Sequence, residues 1–163
     1  MIGIGGCSRS GKSSLAYEIK EQLHDRKVVL LAMDNYVFPE SQIPKIKDRI
    51  DWESPESVNF EQIMRTIEDC KYYDVIVIEG ILIFADESLR KQFDTTVWMQ
   101  ISKETFLARR RNETRWGDEP DWFLEHVWES HLQYGQFPEA DFVVSGEEEI
   151  SLEVLNRLVK TLS

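Results

Sequence analysis

Apolar positions along the chain alternate between short continuous runs and longer stretches of helical period. Ile2–Gly5, Val28–Met33, Val75–Ile78, Thr96–Ile101 and Phe142–Val144 are strand-length apolar runs. Lys12–Leu23 repeats Leu15, Ile19 and Leu23 with Ala16 beside them, and Asn59–Tyr72 sets Phe60, Ile63 and Ile67 on one face. A helix led by Ser102 follows the fourth run, with Glu104, Leu107 and Ala108 favouring that state. Glu119–Tyr134 and the amphipathic Ile150–Leu162 complete the helical set. Runs buried on both sides and alternating with helices predict a parallel five-stranded sheet covered by helices on both faces, an α/β fold.

At 163 residues, 42% of them hydrophobic, the chain is long enough for one domain, 1–163, with its own core. Its 19 Lys and Arg against 30 Asp and Glu give a net charge of −11. The excess is local: residues 116–156 hold 11 acids and no Lys or Arg. A general nucleic-acid binder needs a basic face, so no nucleic-acid partner is expected. A binder of small phosphates needs only a local positive site. Two cysteines, Cys7 and Cys70, are too few for a disulfide framework. No apolar run nears ~18 residues and no secretory leader is visible, so the expected setting is cytoplasmic, away from membranes. A homo-oligomer stays open.

Between the first strand and first helix runs Gly6-Cys7-Ser8-Arg9-Ser10-Gly11-Lys12-Ser13, which fits G-x-x-x-x-G-K-[ST] in its required context. Glycines let the backbone wrap a phosphate so that amides and the helix N-terminus face the anion. Gly6, Ser8, Arg9, Ser10, Gly11, Lys12, Ser13 and Ser14 are therefore the expected nucleotide-binding residues. Lys12 is expected to bridge the β- and γ-phosphates, and the Ser13 hydroxyl to bind Mg²⁺. Neither D-x-x-G nor N-K-x-D occurs, which excludes a GTPase switch. Strand ends face the ligand crevice in such sheets, so Glu79 either serves a metal or is an ordinary strand-end acid, and Asp34 either accepts a hydroxyl proton or closes the strand as an Asx turn. Arg109, Arg110, Arg111 and Arg115 cluster before the acidic stretch and read as an arginine lid over about 109–119 that stabilises transferring charge. Cys7 lies inside the loop, an expected point of oxidation sensitivity, with nothing nearby to make it a nucleophile. His126 and His131 are five apart, off the spacing for two metal ligands on one helix face. His126 with Trp128 is expected to pack the helix after the lid, and His24 to sit on the surface.

In order along the chain, Gly6–Ser13, Asp34-Asn35-Tyr36, Trp52-Glu53-Ser54-Pro55-Glu56, Val75–Gly80, Arg109-Arg110-Arg111 and His126-Val127-Trp128 resemble the uridine kinase and nicotinamide riboside kinase group of P-loop nucleoside kinases. The arginine run followed by His-Val-Trp leans to the nicotinamide riboside branch. The resemblance implies a P-loop NTPase fold with a short arginine-containing lid, and ATP-dependent phosphorylation of a riboside 5′-hydroxyl. It implies Asp34 as general base and Glu79 at the metal, with Lys12, Arg110, Arg111 and Arg115 on the transferring phosphoryl group. Asn35 stands where the family often has a second acid. Glu53 stands where it has a ribose-binding aspartate, with Asp51 close enough to compete for that role. Trp52 and Trp116 fall where the nicotinamide riboside kinases place aromatics around the base, and an indole face attracts a pyridinium cation. Phe142–Gly146 resembles the strand and loop near the adenine. A uridine or cytidine kinase shares every phosphate-side residue. A non-catalytic ATP sensor is the reading from another class, and GTP as donor stays open.

Overall fold

The computed structural model describes residues 1–113 and 117–162. Five parallel strands form the sheet: β1 (Ile2–Gly6), β2 (Val28–Ala32), β5 (Val75–Gly80), β6 (Thr95–Gln100) and β7 (Phe142–Ser145), in spatial order β2-β5-β1-β6-β7. A separate two-stranded hairpin joins β3 (Lys45–Ile46) to β4 (Arg49–Ile50). The helices are α1 (Lys12–Gln22), α2 (Phe60–Asp69), α3 (Glu87–Arg90), α4 (Lys103–Arg111), α5 (Asp121–Ser130) and α6 (Leu152–Thr161). Among them no helix is long and apolar enough to cross a membrane.

Alternate residues of each strand serve opposite faces. Ile2, Ile4, Val75, Val77, Val97 and Met99 pack with Leu15 and Ile19 of α1 and Leu155 and Leu158 of α6. Leu31, Ile78 and Trp98 point the other way, onto Ile63 and Ile67 of α2, Leu89 of α3 and Phe137. A third, smaller cluster of Cys7, Ile101, Phe106, Phe123 and Val127 seats α4 and α5 beside the phosphate loop. The expected α/β sheet with helices on both faces is therefore the observed one. Its registers set Glu79 of β5 level with Ile4 of β1 and Ala32 of β2, so three strands end together at one edge.

Several boundaries differ from those expected. Asn59 is the N-cap of α2, its side chain accepting from the Gln62 amide, and the helix stops at Asp69, soon after its apolar face ends at Ile67. Ser151 likewise caps α6, which starts at Leu152. The helix expected over 119–134 starts at Asp121 and loosens after Ser130 into a wider π-type turn, His131–Gly135. Arg109, Arg110 and Arg111 lie in the last helical turn of α4, so the segment expected as a lid begins on a helix. The hairpin and α3 have two-residue strands and a single helical turn, too short to leave a period in the sequence.

Candidate active site

Gly6 ends β1 with φ of +146°, and a Cβ there would stand 2.4 Å from the Met99 carbonyl, so only glycine lets the chain turn this close to β6. Gly11, at φ +95°, precedes α1 as an N-cap without a side-chain hydrogen bond, leaving the first amides of α1 for another acceptor. Between them Ser10 N–H donates to the Cys7 carbonyl over 3.2 Å, and Lys12 Nζ donates to the same carbonyl over 2.8 Å. Ser10 Oγ is buried without a partner. An uncapped helix start, an unpartnered hydroxyl and a cradle closed to any Cβ together fit a phosphate. Lys12 is buried, and burial pulls its pKa down against the opposing charges of Glu79, Asp34 and Glu53.

Ser13 Oγ donates to Glu79 Oε1 over 2.9 Å, joining the first turn of α1 to the end of β5. A hydroxyl beside a carboxylate at the phosphate loop is a hard-oxygen donor set that fits Mg²⁺ bound mainly by phosphate and water. Asp34 stands on a 3₁₀ turn, Met33–Asn35, just past β2, and faces the same crevice. That crevice, about 1100 Å³, runs from Ser8, Arg9, Gly11, Lys12, Ser13 and Ser14 past Asp34 and Glu79 to Trp52 and Glu53. Gly6 and Ser10 lie beneath it, shaping the loop.

Glu53 is 8% exposed. Burial pushes its pKa up to about 7, Arg110 and Lys12 pull the other way, and Asp51 and Asp34 add to the rise. A carboxyl whose folded pKa exceeds its unfolded value holds its proton below neutrality and ionises as pH rises through about 7. If ionised Glu53 accepts hydrogen bonds from the acceptor, acceptor KM falls as pH rises through that value. In Glu53→Gln that limb of the pH profile is absent, which steady-state kinetics between pH 5.5 and 8.5 (about three units, spanning the titration) will read. The same sign holds for stability: wild type loses stability relative to Glu53→Gln as pH rises from the ordinary carboxylate range to about 7.

The arginines divide. Arg110 Nε and Nη2 donate to the two oxygens of Glu119 over 2.6 and 2.9 Å, and Nη1 donates to Ser8 Oγ over 2.7 Å. Burial works against its charge, but the hydrogen bonds and charge of Glu119 outweigh it and raise the pKa. Arg109 spans the Arg9 and Glu147 carbonyls and also lines the crevice. Arg111 pairs with Asp121 at the surface, outside the crevice lining. Arg115 and Trp116 lie outside the described residues. Trp52 lines the crevice, 37% exposed, its carbonyl held by Ser57 Oγ at 3.0 Å.

The lining also includes residues given no site role from the sequence, among them Arg49, Phe123 and Glu119. Arg49 lies 5.0 Å over the Phe123 ring, and its Nη2 donates to the Asp118 carbonyl over 3.2 Å. Only its place three residues before Trp52 hinted at this. His126 packs beside the Phe123 ring and does more than pack: its Nε2 lies 2.8 Å from Asp51 Oδ1. Cys7 departs from oxidation sensitivity, since it is buried and its thiol is pushed up to about 12, so almost no thiolate forms.

No family model matches the chain. Nicotinamide riboside kinase 1 of Homo sapiens is 27% identical, the match covering 100% of this chain and 94% of that protein. Uridine kinase of Ligilactobacillus salivarius is 26% identical over 99% of this chain and 93% of its own. Over its whole length the chain is similar to uridine kinases and nicotinamide riboside kinases. It is a phosphotransferase with an alcohol acceptor. A solved gluconokinase from Sinorhizobium meliloti shares the fold of this kinase at a TM-score of 0.61 and 19% identity, covering 99% of this chain and 90% of that one.

Proposed function

We propose that this kinase, acting as one domain over 1–163, transfers the γ-phosphoryl group of ATP to the 5′-hydroxyl of a riboside. Nicotinamide riboside giving nicotinamide mononucleotide is the favoured reaction. The observation that carries this reading is the convergence of Lys12, the Ser13–Glu79 pair, Asp34 and Glu53 on one crevice. Its volume exceeds the usual single-ligand range of ~300–1,000 Å³, which suits a donor and an acceptor side by side.

In this reading Asp34 takes the proton of the 5′-hydroxyl as that oxygen bonds to phosphorus and the bond to the β-bridging oxygen breaks, leaving ADP. Lys12 and Arg110 offset charge on the transferring group. Ser13 and Glu79 would hold Mg²⁺, which supplies positive charge at the β- and γ-phosphates when bound. Glu53 accepts ribose hydroxyls, and the Trp52 face attracts the cationic pyridinium. Catalysis then rests on positioning and electrostatics.

A second reading, a uridine or cytidine kinase, is favoured by one observation. Arg49 brings a cation to the Trp52 end of the crevice, where it opposes a second cation and can donate to a pyrimidine carbonyl. A coupled ADP-release assay across uridine, cytidine, nicotinamide riboside and nicotinic acid riboside separates the two. The favoured reading expects the highest kcat/KM on nicotinamide riboside; the highest value on uridine rejects it. Trp52→Ala should raise nicotinamide riboside KM by about 2- to 30-fold, the span of a cation–π contact. Trp116→Ala asks the same of the second indole.

A further inference from the structure

Two side chains just behind the acceptor end form a contact that no step above uses. Asp51 lies between β4 and a 3₁₀ turn, Pro55–Ser57, on the strap that carries Trp52 and Glu53. His126 lies on α5, 75 residues away. Its Nε2 meets Asp51 Oδ1 at 2.8 Å, and both side chains are largely buried, at 17% and 16% exposed. A carboxylate oxygen can only accept, so Nε2 carries the proton. The same Oδ1 accepts from the Glu53 backbone N–H over 3.2 Å. Asp51 N–H donates to the Pro44 carbonyl over 2.8 Å, and the His126 ring packs 6.2 Å from that of Phe123.

Ser130 Oγ also lies 3.5 Å from His126 Nε2, and a serine, histidine and aspartate together invite comparison with a hydrolytic triad. The geometry excludes one. Hydroxyl and carboxylate meet the same ring nitrogen, whereas a triad needs one on each, and Ser130 is buried. Neither Asp51 nor His126 lines the crevice. Whatever the pair does for the reaction, it does through Glu53.

We propose that His126 and Asp51 are positioning residues for the acceptor carboxylate: His126 fixes Asp51, which fixes the Glu53 amide and aims its side chain into the crevice. The physical need is clear from Glu53 itself. A carboxylate loses hydration when buried, so an unrestrained strap would let it swing outward to water. Its neighbours Arg110 and Lys12 attract it inward without setting its direction. The bond to Asp51 supplies direction, and α5 supplies the fixed point. This proposal rests on the reading of Glu53 as the acceptor-binding group.

The test is a double-mutant cycle of His126→Ala and Asp51→Ala, with His126→Gln as the conservative variant that keeps a donor. KM and kcat are measured for nicotinamide riboside, uridine and ATP, and amide hydrogen exchange is followed over the strap without substrate. Each single alanine variant should raise riboside KM about tenfold, as loss of a charged hydrogen bond does, and the double variant should be no worse than either single. ATP KM stays within about twofold, and His126→Gln recovers most of the loss. The Glu53 amide should exchange about tenfold faster in every alanine variant. Unchanged riboside KM, additive effects, or an equal rise in ATP KM overturns the proposal. If wild type phosphorylates no riboside, the acceptor reading fails by itself. Exchange then still decides the pair: a Glu53 amide no faster in His126→Ala overturns the positioning role, and where that variant does not fold, His126→Gln and Asp51→Asn give the same comparison.

Discussion

Asp34→Asn lowers kcat by about 10²- to 10⁴-fold, the usual contribution of a general base, and leaves ATP affinity within about twofold. The side chain keeps its size and loses only the capacity to take a proton. Asp34 sits on its own turn beyond β2, apart from the Cys7 carbonyl, Lys12 and Ser10 contacts that shape the phosphate loop. Steady-state turnover of nicotinamide riboside and calorimetric ATP titration check the two halves of this expectation. A kcat within about threefold of wild type would move the base elsewhere. Glu53 is then the next candidate, because a carboxyl with a pKa of about 7 is already poised for proton transfer at neutral pH.

Arg110→Ala should be costly twice. Its partner Glu119 is 7% exposed and would be left as a buried charge, so stability falls by about 3–5 kcal/mol. Loss of a cation at the phosphate loop removes about 10²- to 10³-fold in kcat. Arg111→Ala, one residue on, breaks only an exposed pair with Asp121, worth about 0–1 kcal/mol, and leaves kcat near wild type. Replacing the buried pair with Arg110→Met and Glu119→Leu separates the two effects. Stability returns, as it does for buried pairs exchanged for apolar groups, while kcat stays low. Urea denaturation and steady-state kinetics on the four proteins read both quantities. If Arg110→Ala and Arg111→Ala behave alike, Arg110 has no special place at the phosphates.

What separates those two arginines also marks how far the sequence can be read. Adjacent helical residues point about 100° apart, since 3.6 residues complete a turn, and a basic triplet does not say which member faces inward. The phosphate loop was legible because its chemistry is local, eight consecutive residues between a strand and a helix. Glu79 was legible once β5 was taken as the neighbour of β1, and the sheet order is the expected one at that point. Which of Glu53 and Asp51 faces the crevice was not legible. Both are acids on one short strap, and only His126, brought in by the packing of α5, engages Asp51 and leaves Glu53 to the crevice. Burial also moves Glu53 toward neutral pH and silences Cys7, and burial is a property of the assembled chain.

The phosphate loop is shaped to be filled, and its occupancy bears on the stability of the whole fold. Without nucleotide, the fold carries a buried ammonium at Lys12, an unpartnered Ser10 hydroxyl and an uncapped start to α1. Each is a local expense that a bound phosphate relieves, and a ligand held only by the folded state stabilises it by mass action, about 2.7 kcal/mol at a hundredfold excess over Kd. Saturating ATP should therefore raise the unfolding midpoint, which thermal denaturation with and without nucleotide will read.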